Sequence, residues 1–329
     1  MEDKIRGCII GAMVGDALGA RYEFLSGHQA KSMLKKDYKD NHLPMLGGGP
    51  FSIAPGQLTD DSELMLSLLN AIVGSNGTYN RDIVAKYYIA WYKSDPFDIG
   101  KTTKSAFKLS LNYDNICSVS HLLNMKSKSN GCLMRCMPLG ILSIIDLSLA
   151  SELAELDTRM TNPNKDCINI VMIYNTLIAM TILNYSKTDI YSRILSIANT
   201  ENKRIIRNSL LQPLYSINGE YMRPDGTMSG FYGISIQNAL YHFFNNNHFE
   251  KAMYDTISLG GDTDTNCCIL GGILGACYGL TSIPNYYVNT VFSLTCPNYN
   301  RHKKLPIVNP DNIADAIDKL VILILAKLT

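Results

Sequence analysis

Residues 7–19 read Gly7-Cys8-Ile9-Ile10-Gly11-Ala12-Met13-Val14-Gly15-Asp16-Ala17-Leu18-Gly19, with glycine at every fourth position, and Gly271, Gly275 and Gly279 repeat the interval near the other end of the chain. A step of four residues stays on one face of an α-helix. Glycine inside a helix costs roughly 1 kcal/mol against alanine, so each ridge predicts a backbone packed very close to its neighbours. Outward from these segments, apolar residues recur at helical spacing: Leu64, Met65, Leu68, Leu69 and Ile72; Val84, Tyr87, Tyr88 and Trp91; Ile313, Ile317, Leu320, Val321 and Ile324. Alternating strand patterns are scarce. Turn residues punctuate the runs at Gly47 to Pro50, Pro55-Gly56, Ser127 to Gly131, Asn162-Pro163, Arg223 to Gly230 and Pro297 to Asn300. The prediction is an all-α fold of a dozen or so helices, forming one compact domain over residues 1–329.

Composition agrees with a large buried core. Apolar residues make up 46% of the 329 and charged residues 18%, below the roughly 25% of typical chains, which excludes a disordered tail or a coiled coil. Thirty basic side chains against twenty-nine acidic leave a formal charge of +1, so no bulk field steers the molecule to nucleic acid or an anionic membrane. Lys31, Lys35, Lys36 and Lys39, like Arg301, Lys303 and Lys304, alternate with other residue types and read as solvated faces. The nine cysteines form no C-x-x-C pair, and Cys8, Cys167, Cys267, Cys268 and Cys277 sit in apolar runs, which predicts a reducing, cytoplasmic setting. The apolar run Gly7 to Val14 is interrupted by Asp16 and reads as a glycine helix rather than a signal segment. Cys167 to Tyr185, with three Asn and two Thr, is too polar for a membrane span and reads as a buried helix. A monomer is expected.

Two segments carry chemistry. Gly47-Gly48-Gly49-Pro50 leads on to Gln57-Leu58-Thr59-Asp60-Asp61-Ser62, a loop that delivers adjacent acids into the first turn of a helix with Thr59 as its N-cap. Leu259-Gly260-Gly261-Asp262-Thr263-Asp264-Thr265-Asn266 again sets a glycine turn before acids. It is no EF-hand, because the turn glycine would fall on Cys267 and the closing glutamate on Ile273. Were these corners to meet near Asp16 and Glu23, the carboxylates would repel unless cations intervened. Two divalent ions would balance four aspartates, and an all-oxygen ligand set favours magnesium, with manganese possible, over zinc. H-E-x-x-H, Walker and G-x-S-x-G motifs are absent from the sequence.

Four strings together resemble the ADP-ribosylglycohydrolases: Gly15-Asp16-Ala17-Leu18-Gly19, Pro55-Gly56-Gln57-Leu58-Thr59-Asp60-Asp61-Ser62, Asn130-Gly131-Cys132-Leu133-Met134-Arg135 and Gly260-Gly261-Asp262-Thr263-Asp264-Thr265. They occur in family order between residue 5 and about residue 285, with Ser229-Gly230 some thirty residues before the last. The resemblance implies an all-helical domain whose cleft holds two magnesium ions and receives ADP-ribose. It implies Thr59, Asp60, Asp61, Asp262, Asp264 and Thr265 as metal ligands, and Glu23 as a mobile gating glutamate. Ser127, Ser129, Asn130, Gly131 and Arg135 would line the ribose and diphosphate pocket, where backbone N–H groups suit phosphate.

On this reading the substrate is an ADP-ribosylated protein or a small ADP-ribosyl conjugate. Metal ions would grip the distal ribose, polarise its anomeric centre and make a water more acidic, and Asp60, Asp61 or Glu23 would take the water's proton. Two departures stand out. Ser62 replaces the family's usual threonine, keeping the hydroxyl, and Thr161-Asn162-Pro163 stands where Thr-His-Pro is common, which puts a substrate contact at Asn162 in question. The alternatives are a catalytically weak ADP-ribose reader or crystallin-like structural member, which the intact acidic set argues against, and a two-metal phosphoesterase.

Overall fold

A computed structural model describes residues 1–39, 42–217, 220–293 and 305–328. Arg301, Lys303, Lys304 and the turn residues Pro297 to Asn300 lie outside the described residues. Sixteen α-helices account for most of what is described. The first four are α1 (Glu2–Gly19), α2 (Gly27–Asp37), α3 (Asp60–Gly74) and α4 (Arg81–Lys93). There follow α5 (Lys101–Phe107), α6 (Tyr113–Asn124), α7 (Met137–Leu142), α8 (Leu149–Thr158), α9 (Lys165–Ile182), α10 (Lys187–Ile197) and α11 (Thr200–Ser209). After a short antiparallel pair of two-residue strands, β1 (Ser216–Ile217) against β2 (Glu220–Tyr221), come α12 (Tyr232–Phe244), α13 (Phe249–Ile257), α14 (Thr263–Tyr278), α15 (Asn285–Phe292) and α16 (Pro310–Leu328).

The two glycine ridges meet each other. Helices α1 and α14 run antiparallel with their backbones in contact: Gly7 faces Gly275, Gly11 faces Gly271, Gly15 faces Cys267 and Gly19 faces Thr263. At each of these positions a Cβ would overlap the carbonyl oxygen of the residue opposite. The separation is set by glycine because no other side chain fits. Gly279 is a different case, for it lies past the end of α14 with φ +84°, a left-handed cap rather than a member of the ridge.

Around this pair the predicted apolar faces close one continuous core. Leu64, Met65, Leu68, Leu69 and Ile72 of α3, Val84, Tyr88 and Trp91 of α4, and the whole predicted stripe of α16 are buried in it. The run from Cys167 forms α9, a buried helix that packs on α7 and α8. Lys31, Lys35, Lys36 and Lys39 are solvent-exposed. No helix among the described residues is long and apolar enough to cross a membrane.

The ridge contact has a consequence for chemistry. Helix α1 ends four residues before Glu23, and α14 starts one residue after Asp262. Two hydrogen bonds tie these ends together, Phe24 N–H to Gly261 O at 2.8 Å and Gly261 N–H to Leu25 O at 2.9 Å. Packing of the two helices thus fixes the relative position of two acidic corners.

Candidate active site

Helix α3 points its first turn at that junction. Thr59 occupies its N-cap position, but the Thr59 side chain makes no capping bond. Asp16 of α1 does so instead, its Oδ2 accepting from the N–H groups of Thr59 at 3.1 Å and Ser62 at 3.2 Å. The Thr59 hydroxyl lies 2.8 Å from Asp16 Oδ1 and 3.2 Å from Asp61 Oδ2. Asp16 is fully buried and fastens α1 to α3 from behind, so it is not one of the carboxylates that open on the cavity. Glu63, the third acid of the turn, is likewise engaged elsewhere, accepting the Trp91 indole N–H at 2.8 Å.

In front of this junction opens a cavity of about 480 Å³. Its acidic lining consists of Glu23, Asp60, Asp61, Asp98, Asp262 and Asp264, with Lys101 as the only basic lining residue described. Thr265, Ser129, Asn130, Gly131, Met134, Ser229 and Gly230 complete much of the wall. Carboxylate oxygens of Glu23, Asp262 and Asp264 lie within 4.8 Å of one another. Asn130 fixes one of them, donating from Nδ2 to Asp262 Oδ2 at 2.7 Å and to Ser235 Oγ at 3.1 Å.

The acids cannot all be ionised as they stand. Burial first, and then repulsion from Asp98 and Asp16, hold the Asp60 carboxyl well above its ordinary range. Asp61 and Asp264 are raised by burial and by facing carboxylates in the same way. Burial and the charges of Asp98, Asp262 and Asp60 push Glu23 up to about 10, and burial with Asp16 and Asp262 raises Asp98 to about 7. Asp61 Oδ1 and Glu23 Oε2 are buried with no hydrogen-bond partner. Buried oxygens without partners, gathered in an all-oxygen set, fit hard divalent cations, which supply both the missing partners and the missing charge.

A pH test follows. The ordinary Asp and Glu values near 4 belong to the unfolded chain, so wherever the folded values are higher the native state binds more protons. Without divalent ions, this part of the stability is complete below about pH 4 and is lost as pH rises through about 7, where Asp98 titrates. Magnesium or manganese at about a hundred times its dissociation constant should restore about 2.7 kcal/mol. Differential scanning fluorimetry should therefore show a larger metal-induced rise in Tm at pH 8 than at pH 5.5. An equal or larger rise at pH 5.5 would count against the charge-balance argument.

Not every residue singled out in the sequence reaches the cavity. Asp60, Asp61, Asp262, Asp264, Thr265, Glu23, Ser129, Asn130 and Gly131 do, whereas Thr59 is not among the lining residues, its hydroxyl lying 3.2 Å from Asp61 Oδ2. Ser127 lines an adjoining groove of about 420 Å³ with Lys126 and Lys128, and its hydroxyl is 2.8 Å from that of Thr102. Asn162 is fully buried, with its Nδ2 donating to the carbonyl oxygen and hydroxyl of Ser129 at 3.2 and 3.0 Å. It orients Ser129 rather than lining the cavity.

Arg135 is the clearest correction. Its guanidinium is fully buried beneath the 127–131 loop and does not line the cavity. It donates to Asp157 Oδ2 at 2.9 Å, Thr161 Oγ1 at 2.9 Å and Gly131 O at 3.3 Å. Long side chains on a binding helix read as ligand contacts in sequence, but here the charge is spent on a strut. Arg135→Met should cost about 3 kcal/mol in chemical denaturation by leaving Asp157 buried and unpaired. The double variant Arg135→Met/Asp157→Leu should recover part of that loss, and a double variant as unstable as the sum of its singles would refute the strut.

Asp98 is the residue that sequence reasoning missed. It sits just before Ile99-Gly100 and the start of α5, so like the other corners it joins an acid, a glycine and a helix start, but with the acid ahead of the glycine. That partial likeness was the available signal. Phe24 is a second cavity residue missed, 64% exposed at the rim with φ +62°.

The sequence model of the ADP-ribosylglycohydrolases matches residues 1–321. The chain belongs to this family. A protein of Acanthamoeba polyphaga mimivirus named for ADP-ribosyl glycohydrolase activity is 32% identical over 94% of this chain and 96% of its own. The ADP-ribosyl-[dinitrogen reductase] glycohydrolase of Rhodospirillum rubrum is 26% identical over 88% of this chain and 90% of its own. Among solved structures, an ADP-ribosylglycohydrolase-related protein complex superposes with a TM-score of 0.72, covering 97% of this chain and 98% of that one at 22% identity. The all-helical architecture is thus that of the ADP-ribosylglycohydrolases, and in this member the acidic cavity sits where the two glycine helices and α3 converge.

Proposed function

We propose that this ADP-ribosylglycohydrolase is a magnesium-dependent enzyme with a dinuclear site, which hydrolyses the glycosidic bond joining ADP-ribose to a protein side chain or a related conjugate. The observation that carries the reading is the cavity itself: six carboxylic side chains from four separate segments share one wall system, and two of their buried oxygens lack partners. Asp60, Asp61, Asp262, Asp264 and Thr265 would hold the ions, with Glu23 close enough to Asp262 and Asp264 to join or leave them. Bound there, the ions would supply Lewis-acid polarisation of the distal ribose.

The remaining steps fall to the chain's own groups. Asp98 lies outside the proposed ligand set and lines the same cavity, so its carboxyl is placed to protonate the departing acceptor atom. Glu23 or an aspartate accepts the proton of the attacking water. Ser129, Asn130 and Gly131 present polar groups and backbone to the rest of the ADP-ribose, with Asn162 and Arg135 holding that loop from beneath.

The direct test is a panel of arginine-linked, serine-linked and acetyl-ester ADP-ribose, each with magnesium and with chelator. Release of ADP-ribose from at least one, abolished by chelation and restored by magnesium, is the expected result. Phosphate release from simple nucleotides, with no ADP-ribose released from any conjugate, would instead identify a phosphoesterase.

A further inference from the structure

The hairpin of α5 and α6 carries a surface that the hydrolytic reading does not use. Leu109, Leu111, Leu122, Leu123 and Met125 are all exposed. Leu122, Leu111 and Leu109, at 81%, 79% and 73%, are three of the four most exposed large apolar side chains among the described residues. Single apolar side chains on a surface need no explanation, but a cluster of them on one short segment does. The same segment concentrates charge. Residues 101–128 hold five lysines, Lys101, Lys104, Lys108, Lys126 and Lys128, against one acid, Asp114, a net charge of +4. The remainder of the chain has 25 basic and 28 acidic side chains, a net of −3. Lys128 pairs with Asp166 at 2.6 Å, but no ion pair holds Lys101, Lys104, Lys108 or Lys126 among the described residues.

Hydrogen bonds place these features beside the cavity. Asn124, at the end of α6, donates from Nδ2 to Thr102 O at 2.9 Å and accepts from the Ser105 hydroxyl at 2.8 Å, while the Thr102 and Ser127 hydroxyls lie 2.8 Å apart. The start of α5, with Lys101 and Lys104, therefore adjoins the end of α6, with Leu122, Leu123 and Lys126. Inward faces are spent on packing, for Ala106 and Phe107 of α5 and Ile116 and Ser120 of α6 are buried. Gly100, Lys101, Thr102 and Thr103 in turn line the cavity. A protein that offers a modified side chain to the cavity must rest beside this hairpin, because a specific interface covers roughly 800 Å² on each partner and reaches well past one side chain.

The chemistry of the patch selects that partner. Lysine ammonium groups set among aliphatic side chains complement a surface that mixes carboxylates with apolar residues. A nucleic acid would be gripped by arginine and by exposed rings on which bases stack, yet residues 101–128 contain no arginine and both Phe107 and Tyr113 are buried. An anionic bilayer seated on the rim would shut the conjugate out of the cavity.

We infer that the exposed face of the α5 and α6 hairpin docks the protein whose modified side chain enters the cavity, and that this protein presents carboxylates and apolar side chains around the modification. The inference rests on the hydrolase reading above and adds a partner surface to it. Binding tests it without catalysis. The full chain with magnesium should be titrated, by fluorescence anisotropy, against a labelled synthetic peptide of glutamate and leucine at helical spacing and against its counterpart with lysine for glutamate. Single-stranded polyuridylate and vesicles of phosphatidylcholine with phosphatidylserine are the competing ligands. The glutamate peptide should bind and the lysine peptide should not, with affinity falling about fivefold from low to physiological salt. Lys104→Glu/Lys108→Glu should weaken binding about tenfold by setting like charges together, and Leu122→Ser/Leu123→Ser about tenfold by removing apolar contact. Both variants should keep wild-type turnover of a small conjugate that carries no peptide, and should lose kcat/KM, through KM, on the same linkage built into the glutamate peptide.

Equal binding of the two peptides, or binding unchanged in both variants, would overturn the inference and leave the hydrolase reading intact. Tighter binding of polyuridylate or of the vesicles would do the same. A chain that binds the glutamate peptide but releases ADP-ribose from no conjugate would overturn the hydrolase reading, and with it the assignment of the patch to substrate docking.

Discussion

Asp61→Asn should lose activity by about a thousandfold, and in the presence of chelator the same variant should melt at a higher temperature than wild type. The two effects have one cause. Asp61 is buried at the first turn of α3 with Oδ1 unpartnered, and burial together with Asp60, Asp16 and Asp262 disfavours its ionised form. In metal-free protein an amide of the same shape removes that penalty. In the loaded enzyme it removes a charged ligand, and losing about 4 kcal/mol of transition-state stabilisation corresponds to about three powers of ten in rate. Steady-state kinetics with magnesium and thermal melts in chelator provide the two readouts. A variant that is both inactive and less stable without metal would show that Asp61 is a structural capping acid and not a cation ligand.

Gly15→Ala should destabilise the protein by more than about 3 kcal/mol, the upper end of what overpacking usually costs, although alanine is the better helix former by roughly 1 kcal/mol. A Cβ on Gly15 would overlap the backbone at Cys267 and Cys268, and backbone on a buried helix cannot swing aside as a flexible side chain can. Gly275→Val, opposite Gly7, should yield no folded protein at 37 °C. The control is Gly74→Ala at the exposed end of α3, where the nearest atom is the Tyr87 hydroxyl oxygen at 3.8 Å and stability should hold. Gly19→Ala adds a functional readout, because Gly19 lies against Thr263 and the Cα of Asp264, so a folded variant should still lose activity by displacing that acid. Urea denaturation with activity assays on the four variants would check the set, and a Gly15→Ala protein as stable as wild type would contradict the close contact of α1 and α14.

What could be read from the sequence, and what could not, divides along a physical line. Helical periodicity announces buried faces, so α3, α4, α9 and α16 were legible from their apolar spacing. The glycine ridges announced close packing but not the partner, because a ridge specifies how near a neighbour comes and not which neighbour it is. Acids at glycine-to-helix junctions announced Asp60, Asp61, Asp262 and Asp264. Asp98 escaped because its proline-containing loop sets the acid ahead of its glycine and short of the helix start, whereas the other corners announce themselves by acids that follow a glycine turn. Arg135, Asn162 and Thr59 were placed in the site because they belong to motif strings, yet the Arg135 guanidinium is turned to Asp157, the Asn162 amide N–H to Ser129 and the Thr59 hydroxyl hydrogen to Asp16. Membership of a motif reports that a position matters to a site, and only the hydrogen-bond partners tell whether it lines the site or holds up the residue that does.

The central claim is that the acidic corners at Glu23, α3 and α14 clasp a pair of hard cations. Crystals of the full chain grown with manganese, with data collected at a wavelength where manganese scatters anomalously, test it most directly. The account predicts two anomalous peaks in the cavity within about 2.5 Å of oxygens from the Asp60, Asp61, Asp262 and Asp264 carboxyls. Well-ordered carboxylates at those positions with no anomalous density between them would contradict it.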